Sequence, residues 1–219
     1  MAGEPYHRIV KHYEDCLSRH GSGAEAVDWR SDESASIRYD VMLALVRDPG
    51  RPVTLLDFGC GLGGLKEHID RRGLGAISYA GLDLSPQFAD ATRARHPGVP
   101  VYCCDVLDDT CDLPQFDYIV MNGIFTRRHD LSLAEMRAYF ERLAKRVFAH
   151  AREGLAFNVM SSCVDWESDA LFHACHGDLS RFVCTELSRH FVLRNDYGLY
   201  ETTCYVYRHS TSDTDRGKA

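Results

Sequence analysis

The sequence predicts an α/β protein with a doubly wound, mostly parallel sheet of seven strands and an antiparallel last strand. Two observations carry this prediction. From residue 53 onward, apolar runs of strand length alternate with segments of helical periodicity. The last two runs are joined by the short turn at 196–198, which is typical of a hairpin, so the final strand should run antiparallel to its neighbour.

Two amphipathic helices are predicted ahead of the alternating region. Apolar residues recur at helical spacing within residues 6–19 and again within residues 34–47. Between them, residues 21–32 are rich in Gly, Ser and Asp, which indicates a loop. We therefore expect residues 1–50 to form a helical lid, residues 51–209 to form one α/β domain, and the polar residues 210–219 to be disordered.

The first strand of the domain runs into a turn rich in glycine, within the segment VTLLDFGCGLGG at residues 53–64. Glycines at 59, 61 and 63 let the backbone bend sharply and approach a ligand closely, and a helix begins directly afterwards. The same string satisfies GxGxxG through Gly59, Gly61 and Gly64. At this point a dinucleotide site and an S-adenosylmethionine (SAM) site are both open.

The remaining elements continue the alternation. The predicted helices are 65–72, 86–96, 132–152 and 168–189, and the predicted strands after the first are 77–83, 100–104, 116–122, 154–161, 190–196 and 201–208. Acids end the first three strands: Asp57, then Asp83 after 26 residues, then Asp105 after another 22. The fourth strand is apolar and ends at Asn122-Gly123. In such sheets ligands bind outside the carboxyl ends of the strands, so these residues should share one crevice.

This order of an acid before a glycine turn, two further strand-end acids and an apolar fourth strand resembles the class I SAM-dependent methyltransferases. The resemblance covers roughly residues 53–208 and is closest to the short stand-alone bacterial type. It implies a Rossmann-like, SAM-binding catalytic domain under an N-terminal lid. Because residues 120–124 contain no proline, the fourth-strand end departs from the Asn-Pro-Pro-Tyr pattern of enzymes that methylate nucleic-acid amines.

The resemblance implies specific contacts to the adenosine part of SAM. Asp83 would accept hydrogen bonds from both ribose hydroxyls, with a helix cap as its alternative role. Asp105 would accept from the adenine amine beside the backbone amide of Val106, with a turn acid as the alternative. Leu84 would pack on the adenine face.

The methionine part would lie against the glycine turn and the end of the fourth strand. Asp57 would hold its ammonium group through water or orient the turn. Arg38 is the candidate cation for its carboxylate, with a solvated helix face as the alternative. Tyr39 and Trp29 are candidate lid residues. The full set of predicted cofactor residues is Arg38, Asp57, Gly59, Gly61, Gly63, Asp83, Leu84, Asp105, Val106, Asn122 and Gly123.

Methyl transfer needs a general base only if the acceptor is protonated. The candidates are His129, in the loop after the fourth strand, with Tyr197, Tyr200 and Glu201 at the last hairpin. Asn158 is a further residue that could reach the pocket. Each is equally compatible with a surface role. We expect no metal site, because His173, Cys175 and His176 fall in one predicted helix and would point in different directions.

Composition limits the possible partners. The chain has 219 residues, a formal net charge of −7 and a pI near 5.8, which disfavours a nucleic-acid backbone as partner. Its nine cysteines form no zinc-like pattern, so we interpret them as buried or incidental thiols of a reducing compartment. The sequence has neither a signal peptide nor an apolar run long enough for a membrane span, so a cytoplasmic location is expected.

The sequence therefore predicts a methyltransferase that acts on a small-molecule O or N acceptor, as a monomer or homodimer. Two alternatives stay open. A nicotinamide-dependent oxidoreductase would share the glycine turn and Asp83, although the chain lacks a Tyr-x-x-x-Lys pair and Asp105 has no obvious use there. An enzyme that uses SAM for aminocarboxypropyl transfer or cyclisation would share the cofactor residues.

Overall fold

A computed structural model describes residues 4–21 and 31–211. Eight strands form one sheet: β1 Val53–Phe58, β2 Ile77–Leu82, β3 Val101–Tyr102, β4 Phe116–Phe125, β5 Ala151–Ser161, β6 His173–Ala174, β7 His190–Arg194 and β8 Glu201–Tyr207. The order across the sheet is β3-β2-β1-β4-β5-β8-β7, and the two-residue β6 pairs with the end of β5. The chain order reverses beside β1, which is where a doubly wound sheet opens a crevice.

The predicted antiparallel last strand is confirmed. Strands β1 to β5 pair in parallel, whereas β8 runs antiparallel to both β5 and β7. Seven of the eight strands match predicted ones. The eighth, β6, was missed because two paired residues are too short to show any periodicity.

Six helices accompany the sheet: α1 His7–His20, α2 Asp32–Leu43, α3 Gly64–Arg71, α4 Pro86–Arg95, α5 Leu133–Ala149 and α6 His176–Phe182. Serine hydroxyls cap three of them. Ser31 accepts from Ser34 N–H, Ser85 accepts from Phe88 N–H, and Ser132 forms a reciprocal capping box at the start of α5. The start of α4 is therefore capped by Ser85, and the capping role considered for Asp83 is not needed.

The sheet separates two apolar layers. On one face, Val41, Met42 and Leu45 from α2 and the following turn pack with α3 and the sheet. On the other face, α5 and α6 cover a larger cluster that contains Phe125, Phe140 and Phe157. Because α2 is part of the first layer, it is anchored to the sheet; α1, which buries Tyr6 and Ile9 against the second layer, crosses the crevice.

The predicted helix over 168–189 is wrong in its first half. His173 and Ala174 pair with Met160 and Ser161 as β6, and helix α6 starts only at His176 before passing into a π-helical turn, Val183–Leu187. The metal argument that placed His173 and His176 on one helix therefore loses its premise. Both rings are hydrogen-bonded to the protein: His173 Nδ1 lies 2.8 Å from Ser161 O and His176 Nε2 lies 2.8 Å from Thr202 Oγ1.

The expectation that all cysteines are free thiols is also wrong, because Cys104 and Cys111 form a disulfide. Two consecutive turns bring them together: Asp108 N–H donates to Asp105 O, and Cys111 N–H donates to Asp108 O. The Cα atoms are 5.8 Å apart. Neither a sequence motif nor the spacing of seven residues indicated this pair.

Three predictions fall largely or wholly outside the described residues: the loop at 21–32, of which only 21, 31 and 32 are described, Trp29 as a lid residue, and the disordered tail at 210–219, of which only 210 and 211 are described. Within the ranges that the structure describes, no helix combines the length and apolarity needed to cross a membrane.

Candidate active site

A cavity of about 380 Å³ lies at the carboxyl ends of β1, β2 and β4. The glycine turn after β1 forms one side of it, and residues of α1 and α2 cover it. Nine of the eleven predicted cofactor residues line the cavity with main-chain or side-chain atoms: Asp57, Gly59, Gly61, Asp83, Leu84, Asp105, Val106, Asn122 and Gly123. Gly63 and Arg38 are not part of its lining.

The glycine turn is held tightly from both neighbouring elements. Main-chain amides of Gly59 and Cys60 donate to Leu82 O at 2.7 and 2.9 Å. Thr92 Oγ1 of α4 donates to Gly61 O at 2.6 Å. Gly59 has φ +75°, a conformation that favours glycine, and a Cβ there would lie 2.2 Å from Cδ1 of Ile124, which would have to move. These hydrogen bonds hold the turn in place, and a ligand can approach its main chain closely.

Gly63 has a structural role in the same turn. It has φ +77°, and a Cβ at this position would lie 2.6 Å from the His96 ring. The left-handed conformation and the close packing against α4 explain why glycine is needed here without a ligand.

Asp83 lies at the end of β2 with both oxygens engaged. Its Oδ2 accepts from Gly61 N–H at 2.9 Å and its Oδ1 from Ser85 N–H at 3.0 Å. Burial raises the pKa of Asp83 to about 6, although these two amides oppose the shift. A carboxylate has further lone pairs, so the same side chain can shape the turn and still accept hydrogen bonds from a ligand.

Asp57 lies at the end of β1, on the floor of the cavity. It is 4% exposed, and its Oδ2 accepts from Tyr79 Oη at 2.9 Å. Burial raises its pKa to about 7, against the opposing effect of the Tyr79 hydroxyl. A cationic group near Asp57 would favour the ionised form.

Asp105 follows β3 and is tied to α1. Its Oδ2 accepts from the Tyr6 hydroxyl, and its Oδ1 accepts from Leu107 N–H at 2.9 Å. Tyr6 is 4% exposed and stacks on Tyr139 with ring centroids 4.8 Å apart. Asp105, the acid that is predicted to bind the adenine amine, therefore also anchors the start of α1.

A second contact fixes α1 over the crevice. Ser85 Oγ, at the start of α4, donates to Glu14 Oε1 at 2.6 Å. Tyr13, one residue before, lines the cavity. Together with the Tyr6 contact, this holds α1 across the ends of β2 and β3.

Arg38 of α2 is paired inside the protein. Its Nε donates to both Glu201 oxygens, at 2.8 and 3.1 Å, and its Nη2 also donates to Glu201. The side chain of Glu201 is 4% exposed. The prediction that Arg38 receives a ligand carboxylate thus gains no support from the geometry, because Glu201 already occupies that guanidinium.

A buried polar network continues from this ion pair to the cavity. Asn158 of β5 donates through Nδ2 to Glu201 Oε2 at 2.7 Å and lies 3.4 Å from Asn122 Oδ1. Its Oδ1 accepts from Gly123 N–H at 2.7 Å. The sequence indicated Asn158 only as a residue of the fifth strand that could reach the pocket, and Glu201 only as a candidate base at the last hairpin. No signal linked either of them to Arg38.

None of the four candidate bases is part of the cavity lining, and one of them, Glu201, is the buried partner of Arg38. The ring of His129 packs beside that of His12, with centroids 4.2 Å apart. Tyr197 Oη lies 2.9 Å from Thr203 Oγ1, and burial raises the pKa of Tyr197. Tyr200 is 52% exposed and packs edge-on against Trp166. Their proposed roles stay predictions.

Comparison with known proteins gives consistent matches. Residues 56–152 match a family model described as a methyltransferase domain. The Mycobacterium tuberculosis protein Rv1506c, named as a methyltransferase, is 32% identical over 164 residues, which cover 73% of this chain and 95% of that protein.

Solved structures show the same fold. The magnesium protoporphyrin IX methyltransferase of Synechocystis PCC 6803 with bound SAM aligns with a TM-score of 0.62 at 14% identity, covering 95% of this chain and 99% of that chain. The 1,6-didemethyltoxoflavin N1-methyltransferase of Burkholderia thailandensis, with its substrate and S-adenosylhomocysteine bound, aligns with a TM-score of 0.61 at 18% identity over 94% of this chain and 91% of that chain. At these identities the structural likeness concerns the fold alone.

Proposed function

The chain belongs to the class I SAM-dependent methyltransferases, and we propose that it transfers the methyl group of SAM to a small-molecule acceptor. The observation that carries the acceptor class is that α1 lies over the cavity of about 380 Å³ in which the predicted cofactor residues meet. This volume lies within the usual range of small-molecule sites. Because the cofactor would occupy this cavity, the acceptor has to reach the methyl group beneath α1, which suits a small molecule better than a folded macromolecule.

The residues of the cavity fit the parts of the cofactor. Asp83 and Asp105 offer carboxylate oxygens where the resemblance to the family expects the ribose and the adenine amine. Leu84 and Val106 also line the cavity, where the resemblance expects an apolar contact to adenine and a backbone amide beside it. Asp57 offers a buried acid for a positive group beside the glycine turn.

SAM supplies a methyl group that its sulfonium charge has already activated. The residues of this chain then have to orient the two reactants and keep water out. We propose that the N-terminal region at 1–50 is the lid that keeps water out, and that residues 51–209 form the catalytic domain beneath it. Within the lid, α1 is the covering element, since it contacts Asp105 and Ser85 across the crevice, while α2 is anchored to the sheet.

Two observations support a small acceptor over nucleic acid. The net charge of −7 opposes binding to a phosphate backbone. The similar enzymes named above are described as acting on magnesium protoporphyrin IX and on 1,6-didemethyltoxoflavin, both small molecules. A cytoplasmic location and a monomeric or homodimeric state stay predictions from the sequence.

The test is a screen of small O and N nucleophiles with methyl-labelled SAM, followed by mass spectrometry of the products. We expect one acceptor class to gain a methyl group while an equal amount of S-adenosylhomocysteine is released. Methylated protein or nucleic acid, with no methylated small molecule, would contradict the proposed acceptor class. Release of methylthioadenosine would instead indicate transfer of the aminocarboxypropyl arm.

A further inference from the structure

The disulfide between Cys104 and Cys111 closes a short loop beside the cavity. We call residues 104–111 the disulfide loop. Its first four residues line the cavity, among them Asp105 and Val106, which the family resemblance places beside the adenine of SAM, whereas Cys111 is not part of the lining. One covalent bond therefore connects the adenine side of the cavity to a residue outside it.

The first half of the disulfide loop is held by other elements of the protein. Val106 is 2% exposed, and its carbonyl oxygen accepts from Arg146 Nε of α5 at 3.0 Å. Asp105 accepts from the Tyr6 hydroxyl of α1. Because these contacts do not involve the disulfide, they keep the first half at the cavity whether the disulfide is closed or open.

The second half of the disulfide loop depends more on the disulfide. Residues 108–110 are exposed. Arg146 Nη2 lies 3.3 Å from Asp109 Oδ1, but the Asp109 side chain is fully exposed, so this ion pair contributes little. Asp108 N–H donates to Asp105 O, so the second half supports the main chain that lines the cavity. Opening the disulfide frees the second half and weakens this support.

The size of the disulfide loop favours a local role for the bond. The two cysteines are seven positions apart. A disulfide that closes a short loop removes little freedom from the unfolded chain, so it adds less to the stability of the fold. In a reducing compartment, which the sequence predicts for this chain, disulfides are mostly transient and serve catalysis or redox sensing. Both cysteines are partly exposed, so a reductant can reach the bond.

We propose that the Cys104–Cys111 disulfide is a redox switch that controls the affinity of the cavity for SAM. A dithiol transfers two electrons and two protons to the S–S bond, which leaves two protein thiols and the disulfide of the reductant. In the reverse step, a low-molecular-weight disulfide is reduced to two thiols while the protein disulfide forms again.

Reduction lowers the affinity because SAM then has to order a looser loop when it binds. Two thiols need separate space, so Cys104, which lines the cavity, shifts when the bond opens. A closed disulfide holds the loop in place before the ligand arrives, and such preorganisation favours binding. The switch rests on the place that the proposed function gives to SAM in this cavity.

Calorimetry with S-adenosylhomocysteine tests the switch on the wild-type protein in both redox states. The protein is oxidised with glutathione disulfide or reduced with dithiothreitol, and alkylation followed by peptide mass spectrometry gives the state of each cysteine. Reduction should weaken binding by at least about fivefold, because the ligand has to order the loop. Glutathione disulfide should then restore the affinity. Circular dichroism shows that the reduced protein is folded.

Serine variants separate this disulfide from the other cysteines. The double variant Cys104→Ser with Cys111→Ser should bind S-adenosylhomocysteine like the reduced wild-type protein and should not respond to dithiothreitol. Cys103→Ser removes the exposed thiol next to the disulfide, so it is the matched control and should respond like the wild-type protein. Equal affinities of the wild-type protein in its two redox states overturn the switch. Free thiols at both positions after treatment with glutathione disulfide also overturn it.

The reduction equilibrium of the disulfide gives an independent readout. By thermodynamic linkage, saturating S-adenosylhomocysteine should raise the ratio of reduced to oxidised dithiothreitol at half-reduction by the same factor, at least about fivefold. An unchanged ratio overturns the switch. If S-adenosylhomocysteine binds in neither redox state, the switch and the proposed place of SAM both fail, whereas equally tight binding in both states removes the switch alone.

Discussion

At the residue scale, Asp83 combines an internal role with its proposed ligand role. It fixes two amides, those of Gly61 and Ser85, that shape the turn on which the cofactor would lie. This explains why an acid is needed even before any ligand arrives.

We predict that Asp83→Ala weakens S-adenosylhomocysteine by about 1.5–3 kcal/mol, the range for hydrogen bonds to a charged group. Calorimetry measures this directly. Asp90→Ala, which removes an exposed acid from α4, should leave the dissociation constant unchanged. An unchanged constant for Asp83→Ala would assign this acid to the turn alone.

Asp57 should make the unliganded protein less stable as the pH rises. Burial raises its folded pKa from 3.8 to about 7, so between these values the folded protein holds a proton that the unfolded chain has released. The contribution of Asp57 to the free energy of unfolding then falls with increasing pH across this window.

The measurement is denaturant unfolding from pH 4.5 to 7.5, with the wild-type protein compared to Asp57→Asn. The wild-type protein should lose stability relative to the variant as the pH rises, and Asp90→Asn should follow the wild-type curve. Parallel curves for the wild-type protein and Asp57→Asn would mean that Asp57 is ionised at low pH in the folded state.

The strand-end acids could be predicted from the sequence because each follows directly on an apolar run, so its position is local information. The Arg38–Glu201 pair could not, since the two residues are 163 positions apart and meet only through the packing of α2 beside β8. The same holds for Asn158, whose hydrogen-bond partners Gly123 and Glu201 come from two other strands.

At the element scale, α1 is the part of the site that a ligand should affect most. It is joined to the crevice by the contacts of Tyr6 with Asp105 and of Glu14 with Ser85. Helices held by few contacts open more readily than those packed in the core. Binding beneath α1 should therefore stabilise it.

We predict that S-adenosylhomocysteine slows amide hydrogen exchange in residues 7–20. In the unliganded protein, Tyr6→Phe should speed this exchange by about fivefold, equivalent to ~1 kcal/mol, because it loses one hydrogen bond and keeps the stacking on Tyr139. Exchange in β5 serves as the internal control and should not change. Identical exchange in α1 with and without ligand would leave α1 as plain packing.

The incorrect helix prediction at 168–189 shows what limits the prediction of single elements from the sequence. Residues 173 and 174 are drawn into β6 by pairing with the end of β5, a contact made outside the segment itself. By contrast, α5 was predicted well, because its apolar periodicity and the Ser132 capping box are both local signals.

At the scale of the whole molecule, the fold follows from the alternation of strands and helices and from the final hairpin. These features determine the parallel sheet, its antiparallel end and the crevice at the carboxyl edge beside β1. The acceptor is less predictable, because the shape of the cavity depends on how α1 and the loops meet over it.

The central claim is that this crevice binds SAM through the glycine turn and the acids at the strand ends. Calorimetric titration of the wild-type protein with S-adenosylhomocysteine and, separately, with NAD tests it most directly. The account predicts saturable binding of one S-adenosylhomocysteine per chain and no binding of NAD. Saturable binding of NAD, with no response to S-adenosylhomocysteine, would contradict it.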